Sequence, residues 1–350
     1  MNRSLAALLV LAALAGSAAS AAAPPRVVRL ASLPETLVVG QRWTARLTVQ
    51  PAGTPVVVAT AGSRTVRVRP RPAGRGHYAA TLRFAAPGIW RLTAVVDRQS
   101  FALGRIRVLA SYPLALPAQI LALDDRSVLV VERQGRDRIL RVDVENGRFS
   151  IAASRIPSPW GLAREANGRV LVSGGAGIYD LSGRKVAAVA ASPIAAAPSG
   201  DLYFAEESRV GRVGRDGRVE TITTAVSVPH ALVLRRDSSL VVSDSGNGRV
   251  LRIDPRTGAT TVLASGLSSP LGAIETTDGA VLVVEFDSGR LLRIGDGRVV
   301  AHGLRKPSAL TQSADESIYV VESGDLGRAS GAIARVAEDG RVTRLRLVPA

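Results

Sequence analysis

The chain has 350 residues, 46% hydrophobic and 21% charged. That is enough for roughly two domains with buried cores, and too apolar for wholesale disorder. Its net charge is +16, carried almost wholly by arginine, since Lys185 and Lys306 are the only lysines. It has no cysteine, which excludes a disulfide framework, a thiol nucleophile and thiolate metal sites, and only three histidines.

Residues 1–21 read as a secretory signal peptide. One positive charge at Arg3 precedes an apolar run from Leu5 to Ala15 and the small-residue stretch Gly16 to Ala23. The run is too short for an ordinary membrane-spanning helix, and no later stretch could act as a transmembrane anchor. The expected location is secreted, periplasmic or associated with the cell envelope.

Residues 26–110 hold fourteen arginines against two acids, Glu35 and Asp97. From Ser111 onward the chain has 30 basic and 27 acidic residues, so the positive field belongs to the first region. Strands are predicted at Leu37–Val39, Trp43–Val49, Val56–Ala59, Thr65–Arg69, Tyr78–Phe84, Trp90–Val96 and Phe101–Val108. Short strands about ten residues apart, punctuated by Gly and Pro, indicate a β-sandwich. The run Gly76-His77-Tyr78 through Pro87-Gly88-Ile89-Trp90-Arg91-Leu92 resembles a hairpin of small immunoglobulin-like domains in bacterial envelope proteins, the YtkA-like group. Arg67, Arg69 and Arg71 alternate, which places them on one face of an extended segment. That face is either simply solvated or a contact for an anionic cell-envelope polymer or phospholipid headgroups. A nucleic acid partner is not expected, because no stacking aromatics are interleaved with these arginines.

Residues 113–348 repeat six times. Proline opens an apolar strand at Pro117, Pro159, Pro193, Pro229, Pro270 and Pro307, and a second, very apolar strand follows each. Those second strands end at Glu132, Gly174, Glu206, Asp244, Glu285 and Glu322. Four short strands per unit, six times over, predict a six-bladed β-propeller, so the whole chain should be all-β. An outer strand from Arg341 to Val348 is expected to stay in the last blade.

The segment from Pro229-His230-Ala231 through Asp244-Ser245-Gly246-Asn247-Gly248-Arg249-Val250 resembles NHL repeats. More broadly, the units resemble propellers of the SMP-30/gluconolactonase and virginiamycin B lyase groups. The resemblance implies that the residue after each proline lies near one mouth of the central channel: Ala118, Trp160, Ile194, His230, Leu271 and Ser308. Trp160, His230 and Ser308 are therefore candidate ligand-binding residues. The lyase pattern also implies His230 and Glu285 as catalytic residues beside Mg2+, with Leu271 standing where a second histidine belongs. Asp244, Glu285 and Glu322 are candidate metal ligands, and hard carboxylate oxygens would suit Ca2+ or Mg2+.

A structural reading of the same residues competes with this one. Asp244 and Arg249, Glu285 and Arg290, and Glu132 and Arg138 are spaced to form ion pairs across tight turns. His230 could equally be a mouth histidine bonded to a neighbouring carbonyl. His302 is expected at the periphery, and no G-x-S-x-G nucleophile elbow is present. Gly174-Gly175-Ala176-Gly177 reads as a tight turn, not a phosphate loop, because no helix follows it. The leading expectation is a propeller that binds a small polar or carbohydrate-like ligand, or a protein partner, at its mouth. The alternative is a divalent-metal-dependent lyase or lactonase.

Overall fold

In a computed structural model, residues 25–133, 135–326 and 329–350 are described. The expected signal peptide lies outside them. The chain divides near residue 109 into two units, both built of strands. No helix among the described residues is long and apolar enough to cross a membrane.

The first unit has two sheets, antiparallel except where Thr36–Val38 runs parallel to Gln99–Leu109. One joins Val27–Leu30, Arg42–Gln50, His77–Arg83 and Arg71–Pro72; the other joins Thr36–Val38, Gln99–Leu109, Gly88–Val96, Val56–Ala61 and Arg64–Val68. Strand residues alternate between burial and exposure, as a sheet with one dry face requires. Leu47, Val49, Leu82, Trp90, Leu92 and Ile106 are at most 2% exposed, and Phe84 packs tilted against Trp90 at 5.0 Å. The predicted arginine row does not exist as one face. Arg67 lies in the strand Arg64–Val68, whereas Arg71 belongs to the other sheet. The chain changes sheets between them, so period-two spacing no longer implies a shared surface.

The second unit consists of six sheets, each with four strands in sequence order, the first of them carrying a fifth strand as well. The innermost strands touch one another in turn, and Pro307–Gln312 returns against Pro117–Ala122 to close the ring. Second strands explain why. In Ser127–Glu132, Val128 and Val130 enter one apolar cluster with the sixth blade, while Leu129 and Val131 enter another with the second. Each blade is apolar on both faces because each face meets a neighbour, and the six inter-blade clusters together form the core. The unit is a six-bladed β-propeller.

Closure differs from the expected arrangement. The outer strand of the sixth blade is only Val342–Arg344, and the chain then leaves it. Val348–Pro349 pairs in parallel with Arg148–Phe149, adding a fifth strand to the first blade. Leu347, 1% exposed, drops into the core between the two blades and draws the C-terminal segment across. Gly147, at φ 70°, allows this approach, because a Cβ there would collide with the Arg346 carbonyl.

Candidate functional site at the propeller mouth

At one mouth of the propeller lies a cavity of about 380 Å³. Its wall includes Ala118, Trp160, His230, Leu271 and Ser308, five of the six residues that follow the repeat prolines. The sixth, Ile194, is 4% exposed and packs in the core between the second and third blades, leaving Pro193 at the mouth. The expected ligand-binding residues Trp160, His230 and Ser308 thus share one cavity.

The residues before these prolines show how the mouth is built. Leu116, Ser158, Val228, Ser269 and Lys306 all have φ between 40° and 53°. A non-glycine residue at positive φ is uncommon, and a β-branched one such as Val228 is a conformational outlier. Something must hold the turn. In four blades it is the carboxylate ending the second strand, which accepts the amide N–H of the residue two before the proline. Glu132 accepts from Ala115 at 2.8 Å, Asp244 from Ser227 at 2.6 Å, Glu285 from Ser268 at 2.8 Å and Glu322 from Arg305 at 2.9 Å.

The second blade carries the negative image of this device. Its residue two before the proline is Pro157, which has no N–H to donate. Gly174 replaces the acid, and a Cβ there would strike the Pro157 carbonyl oxygen. Gly175 N–H closes the turn instead, donating to that carbonyl at 3.1 Å. In the third blade Ser192 donates to the Ala205 carbonyl at 3.1 Å, and Glu206 is 31% exposed and pairs with Arg209 at 2.8 Å.

The same carboxylates also accept arginine. Arg249 donates to Asp244 at 2.6 Å, Arg290 to Glu285 at 2.6 Å and Arg344 to Glu322 at 2.7 Å. Asn247 adds 2.9 Å to Asp244 and Ser288 adds 2.5 Å to Glu285. Burial would raise the Glu285 pKa, but Arg290, Ser288 and the Ser268 amide outweigh it and lower the value below 4.5. In the first blade Glu132 takes Arg138 at 2.8 Å, Arg136 at 2.6 Å and the Tyr112 hydroxyl at 3.0 Å.

These contacts bear directly on the expected metal site. Asp244, Glu285 and Glu322 are at most 1% exposed and do not line the cavity. Each of their oxygens already accepts an amide or a guanidinium. Among the described residues no three His, Asp or Glu side chains gather closely enough to hold an ion. A divalent cation needs several unengaged oxygens, so these residues do not fit one. Nor does Glu285 reach His230 across the mouth as a catalytic partner; it braces its own blade.

Side chains alternate along a strand, so the residue after each acid faces the mouth instead. Arg133, Ser245, Phe286 and Ser323 all line the cavity. Sequence reasoning missed them by stopping at the acids, although that alternation could have found them. Arg133 matters most. Its guanidinium stacks on Trp160, 3.8 Å from the ring centroid, and no carboxylate ion-pairs with it among the described residues. Burial lowers its pKa, with the charge of Asp137 working the other way. His230 lies on the same indole, ring centroids 6.1 Å apart. Its imidazole has no hydrogen-bond partner among the described residues, so the expected carbonyl bond is not made. Burial lowers its pKa from the usual histidine value and favours the neutral imidazole. Opposite, Asp287 accepts Lys306 at 2.8 Å and the Ser269 hydroxyl, while Lys306 sits 4.9 Å from the Phe286 ring.

No protein-family model and no curated protein matches the chain. Solved structures do. A streptogramin B lyase is 20% identical with a TM-score of 0.52, covering 67% of this chain and 84% of that one. Regucalcin, a calcium-binding protein from Agrobacterium tumefaciens, is 17% identical with a TM-score of 0.54, over 68% and 94%. A protein of unknown function from Bacteroides thetaiotaomicron is 15% identical with a TM-score of 0.54, over 89% and 98%. At these identities the likeness establishes the propeller fold and leaves activity to the residues of the site.

Proposed function

We propose that the chain is an exported ligand-binding propeller whose mouth takes a small acidic ring compound of the sugar-acid class. Its first unit we read as an immunoglobulin-like sandwich, on the strength of the evenly spaced strands and the Pro87-Gly88-Ile89-Trp90 hairpin. The mouth reading rests on one observation: Arg133 is a partly desolvated cation, stacked on Trp160 and facing the cavity without a carboxylate partner. A buried cation left unpaired costs free energy that an anionic ligand would recover, and the planar guanidinium suits a carboxylate. Trp160 and Phe286 offer flat apolar faces, and Ser245 and Ser323 offer hydroxyls, while the Ser308 hydroxyl is donated to the Pro117 carbonyl at 2.7 Å and can only accept.

Trp160 is the propeller's sole tryptophan, so the part of the emission that Trp160→Phe removes, leaving Trp43 and Trp90, reports on the mouth. Titration with glucuronate should quench it, and glucose should bind at least tenfold more weakly. Arg133→Ala should abolish that preference while leaving the fold intact. Equal affinity for the two sugars, or an unchanged preference in the variant, would overturn the reading.

A second reading, a lyase or lactonase at the same mouth, draws on His230 alone. A neutral imidazole with no internal partner can accept a proton from a bound substrate. It predicts acid release from glucono-δ-lactone above the background rate, lost in His230→Ala and unaffected by a chelator. Background rates throughout leave the binding reading alone.

A further inference from the structure

The outward face of the first sheet carries five arginines in a defined lattice. Arg42 lies directly opposite Arg83, Arg46 opposite Ala79 and, beyond it, Arg71. Arg29 lies opposite Thr48, which in turn is opposite His77. Thr44 and Thr81 fill the row between, their hydroxyls 3.0 Å apart. All five arginines are exposed, whereas the other face of the sheet, with Ala45, Leu47, Val49 and Leu82, is at most 2% exposed. No acid belongs to this sheet. Neighbours on such a face are about 5 Å apart across strands and about 7 Å apart along them.

We propose that this face binds a linear acidic polysaccharide. Like charges directly opposite on a sheet are mildly destabilising, so an anion bound beside the Arg42–Arg83 pair would relieve their repulsion. Arginine forks match carboxylates bidentately, and the threonine row offers hydroxyls to sugar hydroxyls between the charged rows. Other polyanions fit less well. The face's aromatic ring is the lone His77 at one end of the lattice, so successive bases would find no series of rings on which to stack. Its exposed large apolar residue is Val27, at the end of the edge strand, so little could insert into a lipid surface. Ile89, 57% exposed, lies on the other sheet, where Arg91 faces Arg105 beside partly exposed valines.

The test is binding of the full chain to polygalacturonate, with dextran, phosphatidylglycerol vesicles and single-stranded DNA as parallel probes. Binding to polygalacturonate should be salt-sensitive, and dextran should not bind. Replacing Arg42, Arg46, Arg71 and Arg83 with Ser should weaken binding at least tenfold. Replacing Arg67, Arg91, Arg105 and Arg107 removes the same charge from the other sheet and should cost no more than threefold. Arg42→Ser with Arg83→Ser keeps the test alive if the fourfold variant misfolds, and should still lose more than Arg91→Ser with Arg105→Ser. Equal losses from the two sheets would reduce the effect to net charge and overturn the proposal. So would tighter binding to vesicles or DNA, or no retention at low salt. None of these outcomes touches the mouth, which is probed separately through Trp160.

Discussion

In the propeller, arginines from the third and fourth strands end on buried carboxylates: Arg138 on Glu132, Arg249 on Asp244, Arg290 on Glu285 and Arg344 on Glu322. In the two-sheet unit only Arg26 pairs with a carboxylate, Asp97, among the described residues. The same side chain therefore serves two ends. Where an acid is buried beside it, arginine is part of the frame that holds a strained turn. Where acids are missing, it stays without a carboxylate partner within the chain. Arg133 is one of several propeller arginines without a carboxylate partner, and is set apart by its stack on Trp160 in the wall of the mouth.

The comparison breaks most sharply on a pair of substitutions. Glu285→Ala should destabilise the propeller by about 2–3 kcal/mol, because the Ser268 amide loses its acceptor and a fully buried side chain is removed, while Arg290 remains solvated. Arg42→Ser with Arg83→Ser should change stability by no more than about 0.5 kcal/mol. Urea denaturation of both variants measures the difference, and similar losses would erase the distinction between the two regions. Next in size is Gly174→Asp, which brings the second blade to the pattern of the others in sequence alone. With Pro157 unable to donate and its carbonyl in the way, the change should cost about 1–3 kcal/mol as overpacking. A gain in stability would show that the acid is missing there for another reason. A chelator should shift no melting transition in the wild-type chain, since every buried acid at this level already has protein donors.

How far the sequence reaches follows the same physics. The repeat prolines and the doubly apolar second strands disclosed the propeller, because period-two burial on both faces has few other solutions. The post-proline residues led directly to Trp160, His230 and Ser308. The acids misled when read as metal ligands: from one dimension, a carboxylate near a mouth looks the same whether it faces solvent or an amide 17 residues earlier. The C-terminal crossing was equally hidden, because pairing of Val348 with Arg148 depends on where the ring brings the first blade. Arg67 and Arg71 failed as a row for a related reason, since a change of sheet leaves little trace in the spacing of residues.

The smallest effect expected is also the one that joins stability to the mouth. Burial holds the His230 pKa below 6.5 in the folded chain, so between those two values the unfolded chain binds more protons. Stability therefore rises with pH through that window and falls on acidification. His230→Gln lacks the titrating group and should flatten this part of the profile, read as urea midpoints between pH 7 and pH 5. An acidic ligand on the Arg133–Trp160 stack adds a term of opposite sign. Its charge favours the imidazolium, so glucuronate should bind more tightly as pH falls while the unliganded protein weakens. Both trends should vanish together in His230→Gln. If the slope survives that substitution, another group titrates, and His230 is merely a side chain of the wall.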